Sequence, residues 1–506
     1  MSNTRLTSSL DELAGQSLDV LIVGSGPAGV AVAERLAHTH PDWTLGMVER
    51  GSLLTLTHIN NIFPNPMRRR FIKRFKINPW EGSFRDGGML IPALGGRGIV
   101  AGAHLRRFDP ADFTLWTSGS WPADVIQLLP QYYREAEINR RVNVSAIRGG
   151  EQTWALSTLD FLHAHPPNVG VDFPSGDGFD VGHGYDSPVA RLWQVLINET
   201  LNREAYRRRI WVATDSYAVR IEHNGKLAQG IRCINATDHR SRLVAARTVV
   251  ITASTIESAR LFLLSDLDQQ LPAVGRFLAE HIERRAKIEV DPLNPEVRGQ
   301  GISLVVPPEN ADLANRFQVH LRGQMNQDGK LEVDIGGFAA MDPCEDNRVT
   351  LAESRDEYDI PKANTSVSLS MNDQARVDNM CERIRHIARI LNGKFVTTRF
   401  PFEETTKYTD ASREIQEMGP GRSYHEAGTL RMGSSAEANS VTDSGGLVHG
   451  FSNLYVADAA LFPCVGIANP MLTITALAYR VADHIDAFSP NPGPQPDGTA
   501  GAAPRG

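Results

Sequence analysis

At 506 residues, 41% hydrophobic and 22% charged, the chain is long for one compact domain and has the composition of a globular enzyme of two or three domains. A formal net charge of −7 argues against nucleic acid as a partner. No stretch reaches about 18 uninterrupted apolar residues and the N-terminus has no apolar signal-peptide core, so a cytoplasmic protein with no membrane partner is expected.

Residues 1–16 are polar and are expected to be flexible. Asp19–Ala37, DVLIVGSGPAGVAVAERLA, then opens with the apolar run Val20–Val23, which fits a strand buried on both faces. Gly24, Gly26 and Gly29 give a G-x-G-x-x-G spacing, and Val30, Ala33, Leu36 and Ala37 recur at helical intervals. The glycines therefore sit at a strand-to-helix turn, where a dinucleotide pyrophosphate meets the helix N-terminus. A second strand, Leu45–Val48, ends in Glu49, an acid placed to take a ribose 2′-hydroxyl. Arg50 beside it could instead accommodate a 2′-phosphate. On this stretch alone the ligand is NAD(P) or FAD.

Residues 51–90 show no clear period, which is often the mark of a functional segment. Within them Met67–Lys76 (MRRRFIKRFK) alternates cations with Phe71, Ile72 and Phe75, and reads as a partly buried amphipathic piece. In Leu94–Arg107, LGGRGIVAGAHLRR, glycine is too dense for a helix interior. Trp116, Trp121, Leu129 and Tyr132 read as core. Residues 148–186 are rich in Gly, Pro and Asp; neither their histidines (His163, His165, His183) nor the scattered cysteines (Cys233, Cys344, Cys381, Cys464) have metal-ligand spacing, so no metal is expected. From 188 to 264 the pattern is α/β: a helix at 191–205 and strands at 210–213, 216–222, 230–235 and 242–252. From 284 to 420 strand-like runs dominate (287–290, 302–306, 318–321, 349–351, 365–370), with a helix at 378–391, which predicts an antiparallel sheet. The tail, 489–506, is expected to be disordered.

Several of these stretches resemble the glucose–methanol–choline (GMC) oxidoreductases. Gly95, Gly96, Gly102 and Arg107 fall on the family's second glycine-rich signature, GGSSxxNGMxYxRG, although its serines are replaced by Arg97 and Gly98 and its Asn by Ala101. Asp112–Glu137 is similar to the family's W-x-x-x-G-x-x-GW…LLPYY-x-x-x-E run, TVVITASTIESARLFLLS to xVIxxAGAIxSPxLLLxSG, and VGRFLAEH to VGxxLxDH. The most specific matches are SYHEAGTLRMG (Ser423–Gly433) to H-x-x-GTxRMG, and Asn453–Asp483 to NLYVxDxSxFPxxxxxNPxLTxxALAxRxAD.

The resemblance implies an α/β Rossmann-like FAD-binding domain (17–147, 187–284, 421–488) with an inserted substrate domain on an antiparallel sheet (148–186, 285–420). It also implies FAD-dependent oxidation of an alcohol to a carbonyl. His425 would take the hydroxyl proton, and Asn469 would hold the oxygen. Chemistry agrees: imidazole titrates near about 6.5, whereas a carboxamide donates hydrogen bonds without acting as a base. The backbone of Val219 would meet the adenine, Ala253 the cofactor and Asp458 the ribityl and pyrophosphate, while Pro470 and Met471 would start a helix aimed at the flavin. Gly24, Gly26, Gly29, Glu49, Arg50, Gly96 and Gly102 complete the cofactor set. His104 lies too late in its loop to match the family's flavin-attaching His, so FAD is expected to be non-covalent. His281 and His449 read as structural. The branch most resembled is that of bacterial pyranose oxidases and C-glycoside 3-oxidases, which makes a sugar or glycoside the expected substrate and O2 or a quinone the acceptor. Alternatives are a dehydrogenase of a non-sugar alcohol, a hydroxynitrile-lyase-like enzyme with structural FAD, an NAD(P)-dependent dehydrogenase and a non-enzymatic flavin-binding protein.

Overall fold

The computed structural model describes residues 6–59, 62, 65–101, 105–116, 118–139, 188–201, 209–290, 302–306, 308, 310–326, 328–396, 413–434 and 439–488. The segments 148–186 and 489–506, and with them Gly102 and His104, lie outside the described residues.

A short helix α1 (Leu10–Ala14), closed by a Ser9/Glu12 capping box, precedes β1 (Leu18–Val23), α2 (Pro27–Thr39) and β2 (Leu45–Val48). The expectation of a flexible 1–16 is corrected for its second half. Leu10 and Leu13 are buried, and Ser8 bonds the Val212 carbonyl, because α1 covers one end of the sheet. Residues 51–90 contain α3 (Asn65–Phe75) and β3 (Glu81–Gly82). In α3 Ile72 turns inward while most of the cations face water. Then come α4 (Ala123–Asn139), α5 (Pro188–Leu201), β4 (Ile210–Ala213), β5 (Ser216–His223), β6 (Ala228–Asn235), β7 (Ser241–Ile251) and α6 (Thr255–Leu264). The rest is β8 (His281–Val290), β9 (Ile302–Val306), β10 (Phe317–Met325), β11 (Leu331–Ala340), β12 (Arg348–Arg355), β13 (Pro361–Ser366), α7 (Met371–Ile390), β14 (Lys394–Phe395), β15 (Gln416–Glu417), β16 (Leu454–Val456) and α8 (Met471–Phe488). Among the described residues no helix is long and apolar enough to cross a membrane.

The first sheet runs β4-β2-β1-β7-β6-β5, with β16 also on β7. β1, β2, β4, β16 and the second half of β7 are parallel, and they are buried on both faces as their unbroken apolar runs require. Val23 pairs with Ile251, and Ile251 with Val456, so three strands end on one rung. The residues that follow each strand (Gly24, Thr252–Ser254, Ala457–Asp458) emerge side by side at the carboxyl edge, where ligands of open α/β sheets bind. Helix α8 packs on α2, and Arg35 grips Asp483 with two bonds of 2.6 and 2.8 Å.

The second sheet runs β14-β8-β11-β10-β9 and is antiparallel. Strand β11 was not expected, because Gly336 and Gly337 interrupt its pattern. Gly337 has a packing reason: a Cβ there would press into Met380 of α7. One face of this sheet (Val333, Ile335, Val319, Leu321, Ile288) is apolar and lies on α7, whose Val377, Met380, Ile384 and Ile387 are buried. Cross-strand partners share a face, so the other carries Glu283 and Arg285 of β8, Phe338 of β11, and Gln318, His320 and Arg322 of β10. Helix α7 begins at Met371 rather than 378, since Ser370 and Asp373 form a capping box. The same cap corrects the 365–370 strand, which ends at Ser366.

Candidate active site

A cavity of about 500 Å³ runs from the ends of β1 and β2 to the polar face of the second sheet. Its first end is built from backbone. Gly24 has φ +103°, and a Cβ there would collide with the Thr252 carbonyl. Gly29 packs against the Gly24 carbonyl with no room for a side chain, whereas a Cβ on Gly26 would meet nothing within 4 Å. So Gly24 and Gly29 shape the turn, and Gly26 presents bare backbone to the cavity at the start of α2. A pyrophosphate fits there. Gly96, also lining the cavity, faces Gly26.

Glu49 is buried, and three donors reach it: Ser25 N at 3.2 Å, Ser25 Oγ at 2.5 Å and Gly51 N at 3.0 Å. Burial raises its pKa despite these bonds. A carboxylate has about four lone-pair positions, so one remains for a ribose hydroxyl. Ser25, which was not singled out from sequence, also accepts from Gly95 N at 3.0 Å and so ties the two glycine loops together. Arg50 lies 4.2 Å over the Tyr217 ring and pairs with Glu357 at 3.1 Å. It also lines the cavity, and its Nη1 is buried without a partner. Val219 does not line the cavity; Ser216, Tyr217 and Ala218 just before it do.

In the middle, Ala253 and Asp458 line the wall. Asp458 accepts from Ser254 N (2.9 Å), Ser258 Oγ (2.7 Å) and Ala460 N (2.8 Å), and burial pushes its carboxyl up to about 6. It therefore caps the turn after β16 as well as facing the cavity. Ser254 holds φ +77° and ψ 158°, a region normally left to glycine, and its buried hydroxyl has no partner.

At the far end His425 Nε2 lies 3.0 Å from Asn469 Nδ2, and the Asn469 Oδ1 is buried without a partner. Pro470 and Met471 line the cavity where α8 begins, as the Asn-Pro step predicts. Two features not read from the sequence hold His425. Arg97, which stands where the family has serine, forks onto Glu426 with bonds of 3.0 and 2.6 Å and reaches the Tyr424 carbonyl at 3.2 Å. That departure from the signature was the available clue. His281, read as structural, places Nδ1 at 2.9 Å from His425 Nδ1. His449 bonds Ser440 at 2.9 Å and lies away from the cavity. Below, Glu280 takes Gly421 N (2.5 Å) and Ser423 Oγ (2.7 Å), and burial pushes its pKa up to about 8. Among the described residues no group of His, Cys, Asp and Glu could hold a metal ion.

The bare Gly26 backbone, the remaining capacity of Glu49 and the two buried unpaired polar atoms fit a long ligand with a diphosphate and a polar planar end. Comparison with known proteins agrees. Two family models described as GMC oxidoreductase match residues 197–283 and 343–478. The chain is 25% identical to 6'''-hydroxyparomomycin C oxidase of Streptomyces lividus over 93% of this chain and 92% of that one. It is 24% identical to oxygen-dependent choline dehydrogenase 1 of Chromohalobacter salexigens (94% and 96%), and 24% identical to C-glycoside 3-oxidase of Microbacterium trichothecenolyticum over about half of each chain (54% and 53%). Its fold matches a formate oxidase of Aspergillus oryzae with a TM-score of 0.69 at 16% identity, covering 94% of this chain and 98% of that one.

Proposed function

This chain belongs to the GMC oxidoreductase family and is an FAD-dependent enzyme acting on CH–OH groups, and on that premise we propose that its substrate is a sugar or glycoside oxidised at a secondary ring hydroxyl, at pyranose C2 or C3. The observation that carries the sugar is the polar sheet face opposite His425. Arg285 and Arg322 of that face line the cavity, with Arg422, Ser423 and Tyr424 beside them. Such a wall hydrogen-bonds a polyol at many points. Its arginines oppose a quaternary ammonium, which separates this site from one built for choline.

In this reading the glycine turns, Glu49, Ala253 and Asp458 would hold FAD non-covalently. FAD supplies the acceptor for the hydride leaving the carbinol carbon. His425 takes the hydroxyl proton on Nε2. Asn469 donates to the same oxygen and stabilises its developing charge. Arg97 and Glu426 fix the loop that carries His425. Segments 17–147, 187–284 and 421–488 form the FAD-binding part, and 148–186 with 285–420 the substrate part. Oxygen or a quinone would be the electron acceptor.

The test is anaerobic bleaching of the flavin band by a panel of free sugars, glycosides, choline and simple alcohols. Rapid bleaching by pyranosides is expected. Bleaching by choline or simple alcohols alone would remove the sugar, and substrate conversion without bleaching would make the enzyme a lyase.

A further inference from the structure

His281 and His425 face each other across an antiparallel ladder. Ala279 and Ala427 exchange both backbone bonds, at 3.0 and 2.8 Å, and two residues further on each strand bring the imidazoles together. The ring centroids are 4.8 Å apart and nearly perpendicular, so the Nδ1 atoms meet edge on at 2.9 Å. The other nitrogen of His281, Nε2, lies 2.5 Å from the Gly466 carbonyl oxygen.

A carbonyl oxygen only accepts, so His281 Nε2 carries a proton. His281 is fully buried, and burial pushes its pKa down to about 4. It is therefore neutral at working pH, and its Nδ1 is a bare lone pair. A bond between two Nδ1 atoms needs one proton, and it must then be on His425. We infer that His281 is a positioning residue that locks neutral His425 in the Nδ1–H tautomer, so that the bare nitrogen is Nε2, the one beside Asn469. The Gly466 carbonyl is the anchor. It lies in the turn that leads to Asn469, and Ile467 N holds that turn to the buried Asp112 at 3.1 Å.

This inference rests on the reading of His425 as the base and names what aims it. The proton accounting closes. In the resting enzyme Asn469 Nδ2–H donates to Nε2 at 3.0 Å. When Nε2 takes the hydroxyl proton, His425 becomes a cation whose Nδ1–H still donates to His281. The carboxylates around the pair are engaged elsewhere. Glu283 holds Arg285 at 2.5 Å, Glu426 holds Arg97, and Glu280 accepts from Gly421 N and Ser423 Oγ. His320 faces Phe338 at 4.8 Å, while Arg422 and Arg322 line the cavity beyond. The immediate acceptor of His425 Nδ1–H is thus a neutral nitrogen rather than a carboxylate, which favours proton return.

The tautomer is read directly from two-bond 1H–15N correlations of histidine-labelled holoenzyme above pH 7, with a His425→Ala sample to identify the signals. The Nδ1–H form is expected, and an Nε2–H form overturns the inference. Turnover supplies the second reading. Glutamine at 281 can accept from His425 and donate to Gly466, whereas leucine can do neither. His281→Leu should retain flavin and lose about 10-fold or more in kcat, as partners that orient an imidazole typically do, with the acid limb of the kcat–pH profile displaced. KM should hold within about twofold. His281→Gln should restore most of the loss. Equal losses in Leu and Gln variants, or none in a flavin-loaded Leu variant, would overturn the role. If His425→Ala turned over normally, the base assignment would fail while the tautomer measurement still stood.

Discussion

The two ends of the cavity are built differently. At the nucleotide end backbone geometry governs: Gly24, Gly26 and Gly29 act through the space they leave, and these glycines with Glu49 lie within one stretch from Val23 to Arg50. At the catalytic end side chains govern, and they come from four distant segments: Arg97, His281, His425 with Glu426, and Asn469. The first end can be disturbed without touching the chemistry, and the second without releasing the cofactor. That separation is what substitutions can break.

The largest effect belongs to His425. His425→Ala should lower kcat by about 10² to 10⁴, the usual contribution of a general base, and leave the protein yellow. Colourless protein would show that the two ends are not separable. Next is the ion pair that ties the glycine loop to the histidine loop. Glu426 is buried while Arg97 is partly exposed. Glu426→Leu leaves a half-buried guanidinium without its partner and should cost about 3 kcal/mol, the lower end for breaking a buried pair. Chemical denaturation measures it, and a cost near that of a surface pair would mean that water solvates Arg97. At the nucleotide end two glycines should part company. Gly29→Ala forces its neighbours aside and should cost about 1–3 kcal/mol in the apoprotein. Gly26→Ala, facing open space, should fold within about 0.5 kcal/mol of the parent yet bind FAD more weakly. Equal behaviour of the pair would contradict their separate roles.

The same contrast decides what could be read from sequence. A strand, a turn and a helix in one stretch state the nucleotide end outright, because each glycine's reason is local. His425 and Asn469 were legible only through family signatures. The groups that hold His425 were barely legible: Arg97 showed only as a departure from the signature, Arg97 and Glu426 are 329 residues apart, and His281 and His425 are 144 apart. A lone histidine closing VGRFLAEH says nothing of what it faces until β8 is paired. Strand β11 was hidden because Gly337 makes room for α7 rather than serving β-propensity.

A smaller effect concerns Glu280, under the catalytic loop. Its folded pKa of about 8 exceeds its ordinary 4.5. Between those values the unfolded chain has released a proton that the folded one keeps. Stability from this group is therefore full below pH 4.5 and falls as pH rises to 8, by at most about 1.4 kcal/mol per unit. Glu280→Gln is neutral throughout, so its melting temperature should gain on the parent between pH 5 and pH 8. A constant difference would mean that the carboxyl is already ionised.

The smallest effect lies where the two ends meet, at Ser254. This residue stands where the family signature has glycine and pays for its side chain with φ +77°. Relief of that strain is of order 1–3 kcal/mol, and glycine returns about 0.5–1 kcal/mol of it as entropy in the unfolded chain. Ser254→Gly should therefore stabilise the apoprotein by about 1 kcal/mol. The holoenzyme reports on the hydroxyl. Its oxygen is buried, unpaired and part of a residue lining the cavity beside Asp458. If it bonds FAD, the gain should shrink or reverse once cofactor is bound, and the two melting curves, with and without FAD, would separate the backbone term from the contact. An identical gain in both would leave the serine with strain and no compensating bond.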